Sequence, residues 1–382
     1  MSIRLYDTAT REVRDFVPLE EGKVGVYVCG LTVQSEPHVG HVRSAVNFDV
    51  LRRWLTHRGL EVSFIRNVTD IDDKILTKAA AQGRPWYNLA YEMKRELDRA
   101  YAALNVLPPT YEPAATGHVP EMLELIEHLI ARGHAYAAED GSGDVYFDVR
   151  SWPEYGELTH QRIDDMEAAE DADPRGKRDP RDFALWKGWK KATEPETAAW
   201  PSPWGWGRPG WHAECAAMAA ASLGHAIDVL VGGVDLAFPH HAYQAAMVEA
   251  ATGVAPFARA TVHVGEVRLG GEKMAKSTGN LVLVSDLLER FPGPVVRLGL
   301  LHRPVGEAWE CEDAVFAEAG RLLDRLHEAA GPPSGRTEDP QGRSAVLAAL
   351  LDGLDVPAAV EVALGTGGDA VGYLLDVLRL RE

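Results

Sequence analysis

Three stretches of this 382-residue sequence carry side chains whose types and spacing could do chemistry. "PHVGH", residues 37–41, sets His38 and His41 one helical turn apart, with Gly40 between them. It precedes a run in which Val46, Phe48, Val50, Leu51, Trp54 and Leu55 recur at helical spacing, which predicts a helix over 44–58 with Gly59 as its stop. A helix N-terminus presents unpaired N–H groups and a partial positive charge, so this region suits a phosphate; ordinary loop histidines are the other reading. "KMAKS", residues 273–277, places Lys273 and Lys276 on a loop flanked by glycines. Two ammonium groups there could neutralise charge developing on a leaving pyrophosphate, or could simply be solvated. The third set is dispersed: Cys29 ends an apolar run, Cys215 lies in "GWHAECAAM", and His240 opens the pair in "FPHH". Read from the residues alone, the two cysteines are small buried hydrophobes.

The elements that would position these groups follow from the apolar pattern. "VGVYVCG" and "EVSFIRNVTD" read as strands on either side of the 44–58 helix, a βαβ unit that points to a parallel sheet. Helical sequence continues to about Leu107, where "LPPTYEP" breaks it; "PEMLELIEHLIARG" predicts another helix, closed by Gly133, and "GDVYFDV" a strand. "EAAEDADPRGKRDPRD" is too polar and too punctuated for core and reads as a surface loop. The helical "HAECAAMAAASLG" leads to further strands, "AIDVLVGG" and "ATVHVGEVRLGG", and after "KMAKSTGN" the chain turns mostly helical, interrupted by "GPPSGRTEDPQG".

Composition bounds the function. Apolar residues make up 46% and charged residues 25%, as in a water-soluble globular protein of two or three packed units. No apolar run reaches the length a membrane span needs, and the charged start lacks the core of a signal peptide. Three cysteines argue against a disulfide framework, so a cytoplasmic location is expected; a monomer is expected as well. A net charge of −18 argues against a broad basic nucleic-acid surface. Residues 281–382 sharpen this, with nine Arg, no Lys and seventeen Asp or Glu.

The two signatures, in this order and about 230 residues apart, resemble those of the class I aminoacyl-tRNA synthetases. "YVCGLTV", "PHVGH", "FIRNVTDIDDKI", "KRDPRDFALWKG", "GRPGWHAECAAM", "DLAFPHH" and "GGEKMAKS" are similar to the cysteinyl-tRNA synthetase branch, over residues 3–310. The resemblance implies an α/β fold: a Rossmann-type catalytic domain (1–115 and 196–270) with a connective insertion (116–195). A KMSKS-type loop and stem-contact-like region (271–310) and a C-terminal helical bundle (311–382) would follow, without an anticodon-binding domain. It implies zinc on Cys29, Cys215 and His240, and cysteine contacts from Gly30, Thr69 and Trp211. ATP, with Mg²⁺, would be bound by His38, Gly40, His41, Gly233, Asp235, Lys273 and Lys276, of which His38, His41, Lys273 and Lys276 are the catalytic set.

Departures from the family pattern are informative. The fourth metal ligand of the family, a Glu four residues after the His, is Gln244 here, which leaves three protein ligands and an open position. Val231 stands for a glycine and Ala275 for a serine. The expected end of the chain, together with "NLVLVSDLLERF" and "VRLGLL", is closer to the mycothiol-pathway cysteine ligase, whereas "GHVRSAVNFDVLRRWL" and "DDKILTKAA" are closer to the synthetase. The expected activity is therefore ATP-dependent conversion of L-cysteine to cysteinyl-adenylate, with transfer to the amine of a small molecule. The alternative is charging of a cysteine tRNA.

Overall fold

A computed structural model describes residues 3–169, 176–274, 279–332 and 337–381. The chain opens on an antiparallel hairpin, β1 (Ile3–Asp7) and β2 (Glu12–Phe16). β3 (Lys23–Val28) is buried from Val24 onward except at Gly25, as expected of a strand covered on both faces. α1 (Val39–His57) crosses over to β4 (Glu61–Arg66), which pairs parallel with β3. The helical stretch to 107 is two helices, α2 (Asp73–Ala81) and α3 (Trp86–Ala103), separated where Gly83 turns at φ +61° and Pro85 caps the second.

α4 (Val119–Ala131) then leads into a four-stranded antiparallel sheet of β5 (Ala135–Ala137), β6 (Val145–Phe147), β7 (Phe183–Gly188) and β8 (Gly207–Pro209), in that order. The chain returns to the parallel sheet through α5 (Trp211–Leu223), β9 (Ile227–Gly233), α6 (Ala242–Thr252) and β10 (Ala258–Val264). β9 pairs parallel with both β3 and β10, so the sheet runs β10-β9-β3-β4. The chain order breaks between β3 and β9, and ligands of such sheets bind outside the carboxyl ends of the strands at that crevice.

The single strand read through "ATVHVGEVRLGG" is broken in the structure, with β10 ending at Val264 and β11 (Val267–Leu269) joining a different sheet. The break falls at Gly265, where a Cβ would lie 2.2 Å from the carbonyl oxygen of Glu307. That second sheet also holds β12 (Glu272–Lys273) and β13 (Trp309–Glu310), with α7 (Val284–Leu288) and α8 (Gly293–Leu301) between them. Four helices complete the described chain: α9 (Asp313–Ala330), α10 (Pro340–Leu351), α11 (Val356–Thr366) and α12 (Gly368–Val377). α9 buries Phe316, Ala319, Leu323 and Leu326, one stripe of an amphipathic helix. No helix among the described residues is long and apolar enough to cross a membrane.

Two buried arginines fasten these parts to α1. Arg43 donates to the carbonyl oxygens of Gly265 (2.7 Å) and Pro304 (3.0 Å), fixing both loops that flank the β11 sheet. Arg297 of α8 donates to the carbonyls of Leu378 (2.6 Å) and Leu104 (2.7 Å) and pairs with Asp49 of α1. Asp49 also accepts from Arg53 Nε (2.8 Å) and from the Leu107 amide (2.9 Å). Both members of the Arg297–Asp49 pair are fully buried, so loss of Asp49 would leave the Arg297 charge uncompensated.

Candidate active site and metal cluster

The carboxyl end of β3 delivers Cys29, whose amide continues the sheet by donating to Val231 of β9 at 3.2 Å. Gly30 follows at a point where the chain crosses the end of β4: a Cβ there would sit 1.7 Å from the carbonyl oxygen of Asn67. No other residue fits that crossing. Asn67 secures it from the side, accepting from the Gly30 amide (2.8 Å) and reaching Thr69 Oγ1 (3.4 Å). Backbone bonds between Thr69 and both Leu31 and Val33 continue the pairing, and Thr69 is fully buried beside Gly30.

Cys215 arrives from the first turns of α5, and His240 from the tight 237–241 turn that precedes α6. The ligand atoms of Cys29, Cys215 and His240 all lie within 4.8 Å of one another, and all three residues are buried. Two neighbours orient the imidazole. His212 Nδ1 is 2.7 Å from His240 Nδ1, which leaves Nε2 of His240 for a ligand, and the Trp211 ring stacks on His240 at 4.2 Å and 17°. Gln244, four residues after His240, directs its Nε2 to Cys29 Sγ at 3.2 Å.

Burial, followed by the neighbouring His212, holds His240 well below the usual imidazole range, so it is neutral and able to coordinate. Cys215 is pushed in the opposite sense, well above the ordinary thiol range, by its hydrogen bond with Cys29 and by burial. A divalent ion between the three would displace the thiol protons. The donor set fits Zn²⁺ on chemical grounds: two sulfurs and an imidazole nitrogen, all buried and close together, three protein donors for an ion that takes four.

The residues expected to bind nucleotide lie around the start of α1 and the end of β12. α1 begins at Val39, five residues before the predicted start, so Gly40 and His41 form its first turn and His38 is the cap. The His38 and His41 rings lie 3.5 Å apart, and Gly40 makes room for the fold-back, since a Cβ there would meet His38 at 3.0 Å. The segment after "KMAKS" is laced to this turn, Val39 donating to Val282 (3.0 Å) and Val284 to Pro37 (3.1 Å). Lys273 ends β12 with its Nζ 3.0 Å from Asp235 Oδ2. Asp235 itself folds over Gly233, where a Cβ would stand 2.6 Å from Oδ1. Lys276 and Ala275 lie outside the described residues.

Several contacts at this site had no reading of their own in the sequence. His212 was visible only as part of "GWHAEC", and Asn67 as part of "FIRNVTD". His241, the second His of "FPHH", hydrogen-bonds His263 (2.8 Å), which in turn reaches Thr8 Oγ1 (2.8 Å). This relay ties the turn that carries His240 to the loop after β1. A cavity of about 880 Å³ opens elsewhere, among Arg150, His160, Arg162 and Glu249, and includes none of the predicted site residues.

Comparison with known proteins agrees with this geometry. Residues 15–319 match the catalytic domain described as tRNA synthetases class I (C). The chain is 64% identical over 367 residues to the cysteine–tRNA ligase of a Nocardioides species, covering 94% of this chain and 77% of that protein. The chain belongs to the class I cysteinyl-tRNA synthetase family. Among other members, the cysteine–tRNA ligase of Cutibacterium acnes is 51% identical over 371 residues, covering 94% of this chain and 75% of its own length. The family's catalytic fold extends to more distant class I enzymes. Mycobacterium tuberculosis methionyl-tRNA synthetase with methionyl-adenylate superposes with a TM-score of 0.63 at 17% identity, over 92% of this chain and 82% of that one. Agrobacterium radiobacter leucyl-tRNA synthetase, in a ternary complex, gives 0.61 at 11% identity, over 96% and 84%. As a member of the cysteinyl-tRNA synthetase family, the chain is an ATP-dependent ligase with a nucleotide-binding class I catalytic domain.

Proposed function

We propose that the chain activates L-cysteine with ATP and Mg²⁺ to cysteinyl-adenylate, reading the thiol at Zn²⁺ held by Cys29, Cys215 and His240, and passes the cysteinyl group to the amine of a small molecule. The observation that carries the activation step is the buried Cys29–Cys215–His240 cluster, at the sheet crevice that also receives the start of α1. Zinc would supply selective affinity for sulfur, since a thiolate is a far better ligand than the hydroxyl of serine, which a simple cavity rejects poorly.

The remaining work falls to the chain's own residues. Trp211 and Thr69 border the cysteine, and Gly30 lets its backbone approach the strand end. The α1 N-terminus with His38 and His41 receives the phosphates, and Asp235 the ribose. The cysteine carboxylate attacks the α-phosphorus while the bond to the β-phosphate oxygen breaks, and pyrophosphate leaves with that electron pair. Lys273 and Lys276 neutralise the charge that develops on it. In the second step an amine attacks the adenylate carbonyl, the C–O bond to AMP breaks, and the nitrogen loses a proton.

The small-molecule acceptor is supported by charge. Residues 281–382 have no lysine, and four of their nine arginines are engaged with acids: Arg290 with Asp313, Arg297 with Asp49, Arg343 with Asp369 and Arg381 with Asp376. With seventeen acids against nine arginines, the segment meets a phosphate backbone with an excess of negative charge. A second reading, transfer to a cysteine tRNA, is favoured by relatives at 51–64% identity that are named cysteine–tRNA ligases. The deciding experiment offers zinc-loaded protein, ATP and cysteine either total tRNA or a panel of amino-sugars and other amines. Cysteinyl-amide formed with an amine and no tRNA charging supports the first reading; charging at the rate of adenylate formation replaces it with the second.

A further inference from the structure

We infer that Gln244 acts as a hydrogen-bond donor to the Cys29 thiolate, outside the metal's ligand set, and that this contact sets how strongly the bound metal attracts a substrate sulfur. The inference rests on the zinc reading above and deepens it. Gln244 is completely buried, with its Nε2 3.2 Å from Cys29 Sγ and its Oε1 covered and without a partner among the described residues. A carboxamide buried half-satisfied is costly, and an aliphatic side chain would fill the same space without that cost, so packing alone does not account for it. The amide orientation follows from chemistry. A thiolate only accepts, so with Cys29 deprotonated the N–H faces sulfur; the flipped amide would set carbonyl oxygen against sulfur, two acceptors face to face.

Two consequences bear on the metal. An N–H···S bond withdraws electron density from the thiolate, which then donates less to the ion and leaves it more electrophilic toward an incoming sulfur. The neutral carboxamide also fixes the charge count. Cys29 and Cys215 thiolates balance a divalent ion, so binding of a substrate thiolate brings the centre to one net negative charge. A carboxylate at this position would make it two. Gln244 is therefore a positioning residue, acting through Cys29 on the fourth coordination position.

Cobalt-substituted protein tests this without reference to turnover. In Gln244→Met, which keeps the volume and removes the N–H, the sulfur-to-cobalt charge-transfer band should move to lower energy. The d–d bands should keep their coordination pattern. An unchanged charge-transfer band overturns the inference. So does a d–d spectrum reporting a lost ligand, which would make Gln244 a ligand. Gln244→Glu gives an independent check that does not depend on the Met variant accumulating. Cysteine titrated into the cobalt protein should bind the Glu variant at least about tenfold more weakly than the unmodified protein, and equal affinity contradicts the charge argument. Absence of any metal in the unmodified protein would be a different failure: it removes the zinc reading itself and the inference with it.

Discussion

Cys215 and His240 meet at the metal cluster in opposite states of readiness. The imidazole is already neutral, whereas the thiol must lose a proton that its bond to Cys29 and its burial help to retain. Zinc affinity should therefore rise with pH, and binding should release protons, on the order of two per ion. Calorimetry in buffers of different ionisation enthalpy, with chelator competition at several pH values, checks both; a pH-independent affinity would contradict them. Cys215→Ala should lose zinc and cysteine recognition together while the fold persists, as metal analysis and circular dichroism would report. At the nucleotide end, Lys273 and Asp235 form an exposed pair, so Lys273→Ala should change stability by no more than about 1 kcal/mol while slowing adenylate formation at saturating ATP. Residues of this kind were legible unevenly. Cysteines and histidines announce themselves as ligand types, but the partners that orient them do not. Gln244 and Cys29 are 215 positions apart, and His212 and His240 are 28 apart, so only the fold brings either pair together.

At the scale of elements, α1 is the member that joins the proposed nucleotide site to the rest of the chain. Its N-terminus carries His38 and His41, its middle holds Arg43 against the β11 loops, and Asp49 locks it to α8. Asp49→Asn would leave Arg297 buried without a counter-charge, and the loss should be about 3–5 kcal/mol, read from the urea midpoint. A loss under about 1 kcal/mol would mean that the pair is not the fastening described. The same residues explain why the sequence placed the start of this helix five residues late. Arg43 is a buried arginine and Gly40 a poor helix former, so neither fits an apolar period, and the pattern becomes recognisable only from Val46. The central parallel strands β3 and β9, by contrast, were plain, because strands covered on both faces read as nearly continuous apolar runs. Gly265 shows the limit of that signal: apolar character continues through the break, and the approach of Glu307 that enforces it comes from 42 residues further along.

For the whole molecule, buried imidazoles make stability depend on pH. Burial pushes His263 down to about 4 despite the opposing charges of Asp235 and Asp7. Between about 6.5 and 4 the unfolded chain holds a proton on this ring that the folded chain does not, so stability is intact above 6.5 and declines as pH falls through this range. The full contribution is about 3 kcal/mol, and His263→Gln should flatten that part of the urea-midpoint profile. The net charge of −18 makes a related prediction about the acceptor. If transfer to a small amine is the reaction, its rate should change little between low and moderate salt, whereas tRNA charging would weaken steeply. Beneath both acceptor readings lies the claim that this chain activates cysteine and recognises it through its sulfur. The most direct test is exchange of labelled pyrophosphate into ATP by zinc-loaded protein without tRNA, with cysteine and serine compared side by side. The account predicts cysteine-dependent exchange that is lost on removal of zinc and negligible with serine; no exchange with cysteine, or equal exchange with serine, would contradict it.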